Sequence, residues 1–154
     1  MKLKKIDALL VPRADMYSGE EVPDDEERLK YITNFSGSAG HAIISANSKV
    51  KSVILSDSRY ELQLKKEVDP KNFDCLIGGF KDICLFLKKN EKKLKNIAID
   101  PWLLTLKQYE LLKNLLKGSK IKFEFVDKNL IDEIWVKKNL IVKNKIFEIS
   151  NQIN

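Results

Sequence analysis

The segment FSGSAGHAIISANSKVKSVILSDSRY, residues 35–60, constrains the fold of this chain more than any other part of its sequence. It contains two apolar runs rich in β-branched residues, at 41–44 and 53–55, on either side of a short polar turn. This pattern predicts an antiparallel β-hairpin. The second run ends at a polar corner, where Ser58 is followed three residues later by Glu61. A serine and a glutamate at this spacing form a capping box, so a helix is predicted to begin there.

The remaining sequence alternates between strand and helix patterns. Apolar runs at 6–11, 73–77, 97–100 and 121–125 are typical of strands. Strands that alternate with helices predict an α/β fold in which helices flank the sheet, and the hairpin makes that sheet mixed. The predicted core consists of Leu9, Val11, Leu29, Ile32, Ile43, Val53, Leu55, Ile97, Ile99, Leu112, Leu115, Phe123 and Phe125.

Capping residues predict where the helices begin. Asp24 or Asp25 is expected to cap a helix whose apolar face continues to Phe35. Thr105, with a glutamine three residues later, predicts a second capping box, and Asn129 is expected to cap the last helix. Helices are therefore expected between most pairs of strands.

Composition limits the function classes. The chain of 154 residues has a net charge of +6, but its lysines are scattered and an acidic run at 20–27 interrupts them. This distribution does not favour a nucleic-acid or membrane-surface protein. Cys75 and Cys84 are the only cysteines, and burial as free thiols in a reducing cytoplasm fits them better than a disulfide framework. No apolar run approaches the length that spans a bilayer.

The sequence contains no recognisable catalytic or metal-binding motif. The glycines at 37 and 40 do not fit a phosphate-binding loop, and small residues there are better explained by a tight turn and close packing. His41 is the only histidine and has no ligand cluster beside it, so a structural or exposed role fits it better than metal binding. The acidic run at 20–27 is better explained as a solvated loop and helix start than as a cation site. We therefore predict no catalytic residue and no metal ligand in this chain.

Several segments resemble the N-terminal domain of the creatinase/prolidase/aminopeptidase P superfamily. Residues 34–44 and 56–63 resemble the GF-x-GSAG-x-AII and TDGRY-x-LQ segments of the long Xaa-Pro aminopeptidases. Residues 100–102 (DPW) and 129–135 (NLIDEIW) resemble two further segments in the same order, and residues 7–15 partly match the family's opening strand. Asn34 and Ser58 stand where the family has glycines, and asparagine tolerates the left-handed backbone.

The resemblance implies a creatinase/prolidase N-terminal domain with a ribonuclease H-like fold over residues 1–135. Residues 136–154 would be a linker to a following catalytic domain. In such enzymes that domain holds two metal ions, typically manganese, and removes the N-terminal residue that precedes a proline. The implied partners are the catalytic domain, proline-containing peptides and a second subunit. The N-terminal domain itself would be non-catalytic and cytoplasmic, and it would shape substrate access and dimerisation.

The corner after the hairpin supports two interpretations. The resemblance places Asp57, Arg59 and Tyr60 in the wall of the substrate cleft. The structural alternative is that Asp57 and Ser58 start the helix and Tyr60 packs its first turn. At the level of the whole chain, the alternatives are a stand-alone interaction domain, which needs an apolar surface patch, and a basic nucleic-acid binder. The nucleic-acid alternative is disfavoured because the aromatic residues occupy core-like positions.

Overall fold

The computed structural model describes residues 5–136, which form one mixed sheet with helices on both faces. The strands are β1 (Ala8–Pro12), β2 (His41–Ser45), β3 (Ser52–Ser56), β4 (Phe73–Ile77), β5 (Asn96–Ile99) and β6 (Lys122–Phe125). The helices are α1 (Arg28–Thr33), α2 (Glu61–Glu67), α3 (Phe80–Lys89), α4 (Leu106–Leu115) and α5 (Leu130–Ile134). The proposed linker lies outside the described residues except for Val136. In the described part, no helix is both long and apolar enough to span a bilayer.

The sheet has the strand order β4-β3-β2-β1-β5-β6. The β1–β2 and β2–β3 pairs are antiparallel, while the β3–β4, β1–β5 and β5–β6 pairs are parallel. The hairpin predicted from residues 41–55 is formed, with His41 opposite Leu55 and Ile43 opposite Val53. The predicted α/β fold with a mixed sheet is therefore confirmed.

Two apolar cores lie on opposite faces of the sheet. Successive strand residues point to opposite faces, so Leu9 and Leu10 of β1 belong to different cores. Helices α3 and α4 cover one face, and α1, α2 and α5 cover the other. Nine predicted core residues are buried: Leu9, Val11, Leu29, Ile43, Val53, Leu55, Ile97, Ile99 and Leu112.

The core prediction is wrong at Leu115 and Phe125. Leu112 and Leu116, four residues apart, form the buried stripe at the end of α4, so Leu115 lies beside it and is 41% exposed. Phe125 ends the edge strand β6, where it packs against the ring of Tyr109 and remains 54% exposed. Ile32 and Phe123 are only partly buried.

The start of α1 also differs from the prediction. Asp24 and Asp25 lie in a turn, and the helix begins at Arg28 without a side-chain cap. The helix ends before Phe35, because Asn34 adopts the left-handed conformation with φ 65°. Phe35 is nevertheless fully buried, since the chain turns back onto the sheet at this point.

The two cysteines are free thiols on opposite faces of the sheet. Cys84 on α3 is buried as predicted, whereas Cys75 on the edge strand β4 is only partly buried. Burial raises the pKa of both thiols, so both are protonated at neutral pH.

A partly buried ion pair docks α5 onto α1. The guanidinium of Arg28 donates to both carboxylate oxygens of Asp132, at 2.8 and 2.9 Å, and to Glu26 at 3.1 Å. Burial lowers the pKa of Arg28, but these carboxylates raise it by more. Beside this pair, the rings of Tyr31 and Trp135 stack with centroids 4.7 Å apart.

We expect Asp132→Asn to lower the free energy of unfolding by about 2 kcal/mol, because it weakens a partly buried, bidentate pair. The matched control is Glu61→Gln, which breaks the exposed Glu61–Lys65 pair of 2.6 Å and should leave the free energy of unfolding nearly unchanged. Urea unfolding of the two variants measures both values. Equal losses in the two variants would contradict the docking role of Asp132.

The single histidine lies at the start of β2, partly buried against Phe80 with ring centroids 5.1 Å apart. In the described part of the chain, His41 Nδ1 is enclosed and has no hydrogen-bond partner. Burial lowers the pKa of His41 to about 4. The folded protein therefore resists protonation of this ring, whereas the unfolded chain accepts a proton near pH 6.5.

This pKa difference predicts acid destabilisation. The unfolded state binds more protons at His41 below about pH 6.5, so the free energy of unfolding should fall by about 2 kcal/mol between pH 6.5 and 4. Asp57, Glu61 and Glu67, whose pKa values are lowered, add to this loss in acid, so wild type must be compared with His41→Gln. The variant should lose less stability in this window. Identical pH profiles would refute the prediction.

Candidate functional site

The corner that follows β3 holds the three residues singled out in the sequence. Asp57 has an extended backbone and accepts a hydrogen bond from the backbone N–H of Arg59, at 3.0 Å. A single 3-10 turn, Ser58–Tyr60, follows and leads into α2. The predicted helix start is confirmed within a few residues, but Asp57 caps the turn in place of the Ser58 capping box. An aspartate is favoured because its carboxylate satisfies an unpaired backbone N–H group there.

Asp57 also forms an exposed ion pair with Arg59. The guanidinium donates from Nε to Oδ1 at 2.9 Å and from Nη2 to Oδ2 at 2.8 Å. The hydrogen bond from Arg59 lowers the pKa of Asp57, and the same contact raises the pKa of Arg59. The Arg59 side chain remains 74% exposed, so the pair presents a charged, planar donor group to solvent.

Tyr60 joins this corner to the glycine-containing loop at 34–40. Its hydroxyl is 2.5 Å from the Ser38 hydroxyl, and its ring contacts Phe35 edge-on, with centroids 5.8 Å apart. Gly37 lies directly against both rings. A Cβ atom there would lie 2.2 Å from Phe35 Cζ and 2.8 Å from Tyr60 Cδ1. The loop therefore needs glycine at 37 for close packing, as the sequence predicts.

Further hydrogen bonds hold the loop against α2. The carboxylate of Glu67 accepts from the backbone N–H of Ser36 at 2.8 Å and from the side chain of Gln63 at 3.0 Å. Burial raises the pKa of Glu67, but these hydrogen bonds outweigh it and the net shift is downward. Arg13 donates to the carbonyl of Ser38 at 3.1 Å. These hydrogen bonds fix the glycine-containing loop beside the corner, and the Arg59 side chain extends from the corner into solvent.

The Arg59 guanidinium gives this corner a hydrogen-bond donor that is exposed to solvent. Arg59 Nη1 makes no hydrogen bond within residues 5–136, and its guanidinium lies 5.5 Å from the centroid of the Tyr60 ring. It can donate to a carboxylate or carbonyl oxygen. Among the described residues, no three His, Cys, Asp or Glu side chains lie together as a metal site. His41 lies at the start of β2 and is enclosed, so it cannot serve as a ligand there without rearrangement.

Sequence reasoning missed that two of the motif segments touch each other. Buried Asp100, after β5, accepts a hydrogen bond from the side chain of buried Asn129 at 2.8 Å. Asp100 also caps the turn at Trp102, and Asn129 caps α5. The polar residues at the start of both motifs gave the only signal of this contact, and the pairing itself could not be read from their spacing.

The same end of the sheet carries an exposed apolar surface. Pro101, Leu104, Tyr109 and Phe125 line an open groove of about 240 Å³. Trp102, which follows Pro101, is 67% exposed, and Leu106 at the start of α4 is 72% exposed. Exposed apolar groups gathered in this way are typical of an interaction surface. We call this region the Trp102 surface.

Comparison with known proteins identifies the family. The model of the creatinase/prolidase N-terminal domain matches residues 1–134. A probable Xaa-Pro aminopeptidase P of Laccaria bicolor is 34% identical over 138 residues, which cover 88% of this chain and 21% of that protein. Aminopeptidase P1 of Lotus japonicus is 29% identical and is matched over 19% of its length. The chain therefore spans about a fifth of the curated relatives it matches.

Solved structures give the same result. The X-prolyl aminopeptidase of Caenorhabditis elegans, described as a cytosolic enzyme with a di-nuclear active site, superposes with a TM-score of 0.73 and 25% identity. The superposition covers 86% of this chain and 22% of that enzyme. The isolated N-terminal domain of peptidase PepQ from Mycobacterium tuberculosis shares the fold, with a TM-score of 0.61 at 17% identity. This chain belongs to the creatinase/prolidase N-terminal domain family.

Proposed function

We propose that this chain is the non-catalytic N-terminal domain of an Xaa-Pro aminopeptidase. One observation carries the proposal: the family match fills residues 1–134, yet this chain covers only 21% of the Laccaria bicolor relative. Such an enzyme removes the N-terminal residue of a peptide when proline follows it. In that setting the domain shapes access to the catalytic cleft and contributes to dimerisation.

The metal chemistry of this enzyme belongs to the part of the protein that follows. The related Caenorhabditis elegans enzyme has a di-nuclear active site, and the described residues here offer no comparable group of ligands. There, two metal ions, typically manganese, would supply the activation of water. The residues of this chain would position the peptide substrate and restrict access to the catalytic cleft. The cytosolic description of that relative and the two free thiols here support a cytoplasmic location.

We assign Asp57, Arg59 and Tyr60 to the wall of the cleft. The support is geometric: the exposed Arg59 guanidinium projects from a braced corner and keeps one nitrogen free for an oxygen of the peptide. Tyr60 is anchored through its hydroxyl, so its ring provides a fixed apolar surface beside that arginine. The exposed Trp102 surface supports a contact with the catalytic domain or with a second subunit.

The Trp102 surface also favours the alternative function, a stand-alone interaction domain without an enzymatic parent. The two functions differ in what the gene encodes after Asn154. Reading the downstream sequence for two Asp, one His and two Glu metal ligands distinguishes them. A stop with no such ligand set nearby would favour the interaction domain.

The isolated chain should show no peptidase activity. The reason is that residues 5–136 hold no metal-ligand group that could activate water. Incubating the purified chain with manganese and an Xaa-Pro peptide should release no amino acid above a buffer control. Metal-dependent turnover that co-purifies with the chain through successive columns would overturn the proposal.

Arg59→Ala in the full-length enzyme should lower kcat/KM for Xaa-Pro peptides by about tenfold, the loss of one charge-assisted contact. Because the Asp57–Arg59 pair is exposed, the melting temperature should hardly change. Lys65→Ala is the matched control, since it removes an exposed cation on α2 whose pair with Glu61 is similar. Measuring melting temperature and turnover on the same preparations separates the roles. A destabilised Arg59→Ala variant with normal turnover per folded molecule would rule out the cleft role.

A further inference from the structure

A basic depression lies at the end of the sheet opposite residues 57–60, which we call the Asp57 corner. It is bounded by the chain before β1, the turn between β2 and β3, and the loop that precedes β5. Its volume is about 390 Å³, and its lining includes five exposed lysines: Lys5, Lys49, Lys92, Lys93 and Lys95. We call it the lysine depression.

The backbone around the lysine depression is fixed by contacts between its loops. The Asn47 side chain donates to the carbonyl of Lys93 at 3.1 Å, and Lys93 Nζ lies 3.4 Å from the carbonyl of Lys49. Asp7 Oδ2 accepts the backbone N–H groups of Lys95 and Asn96 at 3.0 and 2.9 Å. These contacts connect the segments that carry Lys49, Lys93 and Lys95, so this part of the depression is preformed.

The positive charge of this surface is not neutralised within residues 5–136. None of the five lysines forms an ion pair there, whereas Lys51 pairs with Asp74 and Lys65 with Glu61 elsewhere on the domain. Asp7 is the one carboxylate among the described lining residues, and two backbone N–H groups already bind it. Like charges confined together in this way favour the uptake of an anion.

Positive charge is concentrated at this end of the domain. The loop at 13–27, which follows the other end of β1, contains seven acidic residues and one arginine. The net charge of +6 is therefore not spread evenly, and one end of the sheet is basic while the other is acidic. An anion would be drawn to the lysine depression in preference to the Asp57 corner.

We propose that the lysine depression binds a compact multivalent phosphate anion. Lysine ammonium groups are point charges that suit phosphate oxygens, and the site has several of them. No aromatic residue occurs among its described lining residues, so it offers no surface on which nucleic-acid bases stack. Its concave shape suits a small ligand better than a flat protein surface. This site is independent of the proposed peptidase role.

Inorganic triphosphate is the probe, used with the complete 154-residue chain at constant, low ionic strength. Calorimetric titration should show binding at one site, and the melting temperature should rise with triphosphate concentration, because a ligand that binds the folded state stabilises it. The affinity should fall as sodium chloride is added. No measurable binding at low salt would overturn the proposal.

Two triple variants with equal charge changes test the position of the site. Lys49→Gln, Lys93→Gln and Lys95→Gln together should weaken triphosphate binding at least about tenfold. The matched control replaces three exposed lysines outside the depression: Lys81→Gln, Lys107→Gln and Lys128→Gln. It should change the affinity less than about twofold. Equal losses in both triple variants would show a general charge effect and overturn the site.

A short single-stranded oligonucleotide tests the kind of anion. The proposal expects it to bind more weakly than triphosphate at equal phosphate concentration, because the site lacks stacking surfaces. Tighter binding of the oligonucleotide, lost in the first triple variant, would overturn the proposal in favour of an extended polyanion site.

Discussion

The structure depends on the burial of its central strand. All five residues of β1 are buried, with helices on both faces and a strand on each side. Its antiparallel neighbour β2 comes from the hairpin, and its parallel neighbour β5 comes from a distant part of the chain. β1 therefore joins two halves of the sheet that the sequence builds separately. The Asp57 corner and the Trp102 surface owe their positions at one end of the sheet to this junction.

Local patterns predicted the elements well because each signal lies within a few residues. The hairpin, the Thr105 capping box and the Asn129 cap are all found, since alternation and capping depend on near neighbours. Errors occur where a distant contact decides. The start of α1 could not be read from Asp24, because Glu26 and Glu27 bind the guanidinium groups of Arg28 and Arg13 instead.

The candidate site shows the same division between near and distant contacts. The turn at 57–60 is visible in the sequence, but its bracing is not. Gly37 packs against Phe35, two residues away, and also against Tyr60, which only the fold brings into contact. The exposure of Leu115 beside the buried Leu116 at the end of α4 likewise depends on how the helix packs on the sheet. Periodicity alone fixes such a face only to within one residue.

The Asp57–Arg59 pair is more informative about function than about stability. Solvent screens an exposed ion pair, so this pair contributes little to the stability of the fold. The pair restricts the orientation of the Arg59 side chain. Two parallel hydrogen bonds from the guanidinium to Asp57 hold it in one plane beside the Tyr60 ring. Holding the arginine in this orientation reduces the entropy lost when an oxygen binds its remaining nitrogen. A structural cap alone would need Asp57 but not Arg59, and the bidentate geometry therefore supports the proposed contact of this corner with a ligand or a partner surface.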